Sequence, residues 1–410
     1  MKALFSPTVL RNIGALFVLQ AGTYLLPLLL IPYLVRTLGL EIFGTWMFAM
    51  AFVIFARICV NYGFDLTATR QVAASSQEHR SDLSALLVDI VTARLFLWIA
   101  CLVALIVLSL VIEPVSDIRW LLLAASLILV GEALFPVWLF QGLEKMGVIT
   151  QLRLGAKVVN LLLVVLLVKR PEDVLLIPLI EAGVIFLSSI AALFIAHRSF
   201  GIVVVRPRLA RVRAQFHDGG AIFVANLAVQ FYTTVNLIVL GFIIGPIAVA
   251  AYSIAEKIYS ALRGLLGPFV QATFPVLTRM HDRSQADFFE IYSTVIRSLV
   301  IILCIVGVIL FLAAPSLIHL VTGSRDEVAI DALSVFAVAF PFALGSFLAP
   351  MLVVRKFNAA LMRITIVGGV IGLLLSPLFS WFYGAPGAAG AFLFVQIFNS
   401  VMLLSANRST

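Results

Sequence analysis

Three ionisable residues, Glu256, Lys257 and Arg263, stand in the stretch Ala250–Arg263, inside a run that is otherwise apolar and long enough to cross a bilayer. Glu256 and Arg263 are seven apart with Ser260 between them, so a helix puts the three on one face. An ionisable group at membrane depth is costly. Its default reading is a water-filled pathway or a paired interior site. The chemistry such groups offer is ion binding. A desolvated carboxylate can exchange a proton or hold a cation, and arginine's planar fork grips phosphate with two hydrogen bonds at once.

The same kind of residue recurs along the chain. Arg57, Arg94, Glu132, Lys157, Glu181 and Arg297 all fall well inside apolar runs. Arg57 leads a stripe with Asn61 and Asp65, and Lys157 shares a helical face with Arg153 and Asn160. With the first stretch, the deep set holds six cations (Arg57, Arg94, Lys157, Lys257, Arg263, Arg297) against three carboxylates (Glu132, Glu181, Glu256). A cavity with that excess attracts an anion, although Glu132 can also be spent on an ion pair with Arg57 or Arg94. Gln20 and Tyr24 in the first run, and the stripe Asn226–Gln230–Thr233, add uncharged polar groups. Such stripes serve cavity walls and helix–helix packing equally well. Asp65, Asp89, Arg70 and Arg153 lie near cytoplasmic ends of their runs, where snorkelling to the interface suffices to explain them.

The elements that must carry these residues follow from composition. The chain has 410 residues, 62% hydrophobic and 12% charged, and its mean hydropathy is +1.14. Soluble domains have about 25% charged residues, so an all-α integral membrane protein is expected. At about 20 apolar residues per span, twelve spans are expected, near 12–35, 43–63, 83–111, 119–140, 150–168, 174–196, 217–244, 247–276, 288–313, 328–353, 362–383 and 387–406. With a cytoplasmic N-terminus, seventeen Lys and Arg fall on inside segments and five on outside ones, which orients the chain with both termini cytoplasmic. The basic linker 198–216 then separates two six-helix lobes around a central cavity, 1–197 and 217–410. Each lobe opens with a glycine turn, RTLGLEIFGTW at Gly39 and GFIIGPIAVAAY at Gly245, a weak internal repeat of the kind two-lobed transporters carry.

Several classes drop out. The +8 charge lies in short loops between apolar runs and serves topology; it does not form a nucleic-acid patch. The five histidines are scattered, the three cysteines sit singly in apolar runs, and no phosphate-loop motif occurs, so no metal site, disulfide framework or nucleotide cofactor is expected. The hydrophilic loops are short. Any drive must therefore come from an ion gradient, the substrate's own gradient or a separate subunit.

IPYLVRTLGLEIFGTW running on to NYGFDLTATRQVA, together with PVWLFQGLEKM (Pro136–Met146), AAYSIAEKIYSAL and FPVLTRM (Phe274–Met280), resembles the polysaccharide-biosynthesis branch of the multidrug/oligosaccharidyl-lipid/polysaccharide exporter superfamily, and within it the Wzx-type O-antigen flippases. The matches spread over both halves. Twelve spans agree with that branch and not with the fourteen-span lipid II flippases.

The resemblance implies a flippase of the bacterial inner membrane. It would carry undecaprenyl-diphosphate-linked oligosaccharide by alternating access, with a proton or sodium gradient as the drive. Membrane lipid and the polymerase and chain-length proteins of the same pathway are the implied partners. On this reading Arg57, Arg94, Lys257, Arg263 and Arg297 bind the diphosphate or an anionic sugar. Glu132, Glu256 and Glu181 couple or gate, Gln20, Tyr24, Asn226 and Gln230 contact the glycan, and Lys157 is a further cavity member. A drug/cation antiporter of the same superfamily would want a carboxylate-rich cavity. A membrane-embedded polymerase or glycosyltransferase would want catalytic groups on an outside loop, where the richest stretch is Thr322–Asp331.

Overall fold

A chain this apolar must satisfy its backbone polar groups internally, and helices do that within one segment. The computed structural model of the chain describes residues 7–74, 80–267, 270, 285–355 and 357–408, and there the regular structure is helical throughout. The helices are α1 (Pro7–Leu38), α2 (Leu40–Asn61), α3 (Phe64–Ala74), α4 (Arg80–Val111), α5 (Glu113–Ser116), α6 (Arg119–Ser126), α7 (Ile128–Leu134), α8 (Val137–Gly142), α9 (Met146–Leu167), α10 (Leu176–Phe200), α11 (Leu209–Thr233), α12 (Val235–Ile243), α13 (Pro246–Gly264), α14 (Gln285–Thr322), α15 (Glu327–Ala339), α16 (Gly345–Val354) and α17 (Asn358–Arg408). Among the described residues, eight helical stretches are long and apolar enough to cross a membrane. A ninth is the pair α11 and α12, bent by 43°. The stretch Phe274–Met280 lies outside the described residues.

Breaks fall where the backbone chemistry asks for them. Gly39 (φ 79°, ψ 163°) separates α1 from α2, and Gly245 (φ 113°, ψ −178°) separates α12 from α13. Both occupy the region of positive φ and extended ψ that is essentially closed to residues with a Cβ. The two turns of the sequence repeat thus share one unusual backbone conformation. α17 breaks at Gly384 into two arms, the boundary expected between the last two spans. The fourth expected span, 119–140, is in contrast discontinuous. It breaks at Leu127 and again at Phe135, which turns to ψ 112° ahead of Pro136; a residue before proline is pushed out of the helical region, and proline has no N–H to give. The short α8 that follows drives Trp138, Leu139 and Phe140 into full burial against Phe64, Ala68, Leu87 and Ala192.

By packing, the chain forms two compact units, Thr37–Gln230 and Met1–Arg36 with Phe231–Thr410. In the first, α2 packs on α4 and α6, α7 and α9 on α10, and α3 on α8. In the second, α13 and α17 pack on α15 around an aromatic centre in which Tyr259 stacks on Phe336 (centroids 5.1 Å apart) and meets Phe340 and Phe392 edge-on. Asn236 Nδ2 donates to the buried Tyr252 hydroxyl at 2.9 Å in the same region.

Two ion pairs of the first unit lie within its packing. The Arg94 side chain is 2% exposed, and its Nη2 donates to Asp65 Oδ1 at 2.6 Å. Asp89, also 2% exposed, pairs with Arg211 and accepts from the Arg208 backbone N–H at 3.1 Å. Both carboxylates are paired: Asp65 keeps 39% exposure beside Arg94, and Asp89 is buried against Arg211. The linker folds back on α4 and brings the counter-charge to Asp89; Ser84 Oγ accepts from Val203 N–H one turn earlier.

The Asp65–Arg94 pair gives a directional prediction. Removing the partner of a buried charge costs several kcal/mol, whereas replacing the buried charge itself by an apolar side chain costs less. Because Asp65 keeps 39% exposure, Asp65→Ala should cost about 2–3 kcal/mol and Arg94→Met clearly less. Thermal unfolding of the two purified variants, read as the loss of monodisperse protein on heating, checks the order; equal or reversed losses would show that the guanidinium has another counter-charge.

Candidate functional site: two charged cavities

The first cavity lies within the Thr37–Gln230 unit and has a volume of about 270 Å³. Arg57 of α2, Glu132 of α7, Arg153, Lys157 and Asn160 of α9 and Glu181 of α10 line it, with Phe135 on the wall. The helical repeat explains α9: positions 153, 157 and 160 fall on one face, and that face lines the cavity, with Arg153 exposed and Lys157 and Asn160 half-buried. Arg57 Nε lies 2.8 Å from Glu132 Oε2. The contact is an ion pair and lies off hydrogen-bond alignment, so Arg57 Nε has no in-line acceptor. The Arg153 guanidinium sits 5.1 Å from the centroid of the Phe135 ring, a cation–π contact. That ring is the one turned inward by the Phe135–Pro136 break. Arg57, Arg153 and Glu181 are the charged neighbours of Lys157. Three cations face two carboxylates here, so the lining keeps a net positive charge.

The second cavity, about 430 Å³, lies within the other unit. Gln20 and Tyr24 of α1, Ser260 and Arg263 of α13, and Ser346 of α16 line it, and the α13 end at Gly264 closes against the Tyr24 ring. Arg263 is the one charged group among the described lining residues. Glu256, one turn before Ser260, accepts a hydrogen bond from the Ser260 hydroxyl and lies 3.2 Å from Lys257 Nζ. Its carboxylate is thereby engaged beside the cavity without lining it.

The structure therefore sorts the expected residues. It joins Arg57, Glu132, Lys157 and Glu181 in one cavity and Gln20, Tyr24 and Arg263 in the other. Arg94 joins neither, because Asp65 holds it in the packing of α3 and α4. Lys257 joins neither, because it turns to Glu256. Arg297 on α14 and Asn226 on α11 are exposed, Gln230 is half-buried, and none of the three lines either cavity. Sequence reading placed Arg153 at the interface; in the structure it is a cavity residue, and its signal was the i, i+4, i+7 spacing with Lys157 and Asn160. Phe135, Ser188 and Ser346 are further lining residues not foreseen, and Ser346 stands alone in an apolar run with no spacing to mark it. Among the described residues, no cluster of His, Cys, Asp and Glu could hold a metal ion.

Residues 9–281 match the family model described as polysaccharide biosynthesis protein. The chain belongs to that family. It is 29% identical over 398 residues to a protein of Shigella dysenteriae, covering 97% of this chain and 99% of the relative, and 28% identical over 397 residues to one of Escherichia coli strain K12, covering 96% and 95%; both are named "Putative O-antigen transporter". Its fold is similar to that of the lipid II flippase MurJ in an inward closed conformation (TM-score 0.72, 15% identity, 96% of this chain and 88% of that one). It is also similar to an inward-facing multidrug resistance MATE family transporter of the MOP superfamily (TM-score 0.66, 16% identity, 95% and 92%). The family member described here is thus an all-helical, multi-pass membrane protein of the MurJ and MATE fold type.

A double-mutant cycle tests whether Arg57 and Glu132 act as one unit. Side chains in direct contact couple by about 0.5–3 kcal/mol, so Arg57→Gln and Glu132→Gln should each destabilise the purified protein while the double variant costs clearly less than their sum. Strict additivity in thermal unfolding would mean that the two charges do not interact.

Proposed function

We propose that this chain is a flippase that moves undecaprenyl-diphosphate-linked oligosaccharide, an O-antigen or related repeat unit, from the cytoplasmic to the periplasmic leaflet of the bacterial inner membrane. The observation that carries the reading is the pair of polar cavities with excess positive charge inside an otherwise apolar fold. The relatives named O-antigen transporters and the family match support the same cargo class.

The cargo has three parts with three solvation needs. Its diphosphate is anionic and needs cations that stay charged, which arginine supplies at any physiological pH. Arg263, framed by the uncharged Gln20, Tyr24, Ser260 and Ser346, offers a guanidinium without a lining carboxylate to compete for it. Its glycan needs hydrogen-bonding groups, which the same frame provides. Its polyprenyl tail needs no aqueous path and stays in the bilayer.

Movement proceeds by alternating access with an ion gradient as the drive. In the first cavity Glu132 shields Arg57, so protonating that carboxylate would raise the positive charge offered to an anion, and losing the proton would lower it. Glu181 beside Lys157 and Glu256 beside Ser260 are further groups at which a coupling ion could act.

The test is translocation of a fluorescent or radiolabelled lipid-linked oligosaccharide in liposomes holding the purified protein, with and without a proton gradient. A charge-assisted hydrogen bond is worth about 1.5–3 kcal/mol, or roughly ten- to a hundredfold. Arg263→Ala should slow transport by that factor, Arg263→Lys should fall between, since one ammonium cannot make the bidentate contact, and protein content should not change. Wild-type rates in both Arg263→Ala and Arg57→Ala would overturn the cationic-cavity mechanism; transport of an organic cation in place of the lipid-linked glycan would overturn the cargo.

A further inference from the structure

A third cavity, about 440 Å³ and almost wholly apolar, lies within the Thr37–Gln230 unit, between α4, α10 and the linker. Leu87, Val88 and Val91 of α4 and Leu193 of α10 form its floor, and Ile202–Val204 of the linker form its rim. It shares no lining residue with the two charged cavities. The linker is held there at three points. His197 Nδ1 bonds the Ile202 carbonyl at 2.8 Å, Ser84 Oγ accepts from Val203 N–H at 3.1 Å, and Asp89 Oδ1 accepts from Arg208 N–H at 3.1 Å. In this arrangement Val203 and Val204 are left 49% and 89% exposed. An apolar segment pinned in that pose at the cytoplasmic edge of a membrane protein is placed to face hydrocarbon.

The sequence changes character at once. IVVV is followed by RPR, with Arg198 on the near side and Arg211 and Arg213 beyond. Asp89 occupies Arg211. Among the described residues the side chains of Arg198, Arg206, Arg208 and Arg213 have no carboxylate partner, and all four are exposed. An apolar groove followed directly by unpaired arginines matches an amphiphile with a hydrocarbon chain and an anionic head. Basic clusters beside membrane helices on the cytoplasmic side recognise lipid head groups in this way.

We propose that this groove is a binding site for an anionic glycerophospholipid of the cytoplasmic leaflet, with one acyl chain along Leu87, Val91 and Leu193 and the head group on Arg206 and Arg208. The site joins the linker to α4 and α10 through the bound lipid, in addition to the three hydrogen bonds. A glycerophospholipid fits better than the lipid-linked cargo because the groove's wall carries almost no polar surface for a glycan, and Arg206 and Arg208 follow its last lining residue in the linker, Val204, by two and four positions and line neither charged cavity.

Native mass spectrometry of the full chain, purified in mild detergent and offered phosphatidylglycerol or phosphatidylcholine, tests the site. Each basic residue near the head group contributes about 1 kcal/mol, so Arg206→Gln with Arg208→Gln should weaken phosphatidylglycerol binding by roughly thirtyfold. The Arg206→Lys, Arg208→Lys pair should keep it, and Val91→Trp, which fills the groove, should lose it with the arginines intact. Thermal unfolding run alongside excludes a folding defect. Equal retention of the two lipids by the native protein, undiminished binding in both the Gln pair and Val91→Trp, or co-purification of a polyprenyl-linked species in the groove would each overturn the proposal.

Discussion

A charge in hydrocarbon must find a counter-charge or water, and the positions of the ionisable side chains in this protein follow from that demand. Four carboxylates meet it by pairing: Asp65 with Arg94, Asp89 with Arg211, Glu132 with Arg57 and Glu256 with Lys257. The pairs differ in what surrounds them. Arg94 and Asp89 are closed off by packed helices and hold α3, α4 and the linker in register. Arg57 and Glu132 open onto a cavity, where further cations outnumber the carboxylates. Pairing alone therefore does not tell a structural charge from a working one; access to an enclosed polar space does.

The two charged cavities answer the same demand in different ways. In the Thr37–Gln230 unit the positive charge of Arg57 is offset by the Glu132 carboxylate 2.8 Å away, and Glu181 lines the same cavity. In the other unit Arg263 sits among the uncharged Gln20, Tyr24, Ser260 and Ser346. One cavity pairs its leading cation with a carboxylate, and the other has no carboxylate among its described lining residues.

Much of this was legible in the sequence wherever a helical repeat carries the information. Arg153, Lys157 and Asn160 share a face because 3.6 residues make a turn, and the same arithmetic puts Ser260 between Glu256 and Arg263. The class of fold followed from apolar runs, and the glycine turns at Gly39 and Gly245 followed from their neighbours. What stayed hidden depends on tertiary approach. Nothing local says that Asp65 meets Arg94 or that the linker returns to cover Asp89. Sequence position gives depth along a span but not what lies across from it. The basic linker marks a division by composition at 198–216, and by packing α1 up to Arg36 groups with the described residues from Phe231 on.

The discontinuity of the fourth expected span shows how a local break serves a distant site. Pro136 is written in the sequence, but a span predictor passes over it because the flanking residues are all apolar. Its consequence is specific. Phe135 leaves the helix and lines the cavity under the Arg153 guanidinium, while Val137–Gly142 turns Trp138 and Phe140 into the packing beneath. An unbroken helix would place position 135 one regular step after Leu134 and take the ring away from Arg153. The break thus lets one short segment supply both a wall residue of a charged cavity and buried apolar packing, a reason for PVWLFQGLEKM that composition alone does not give.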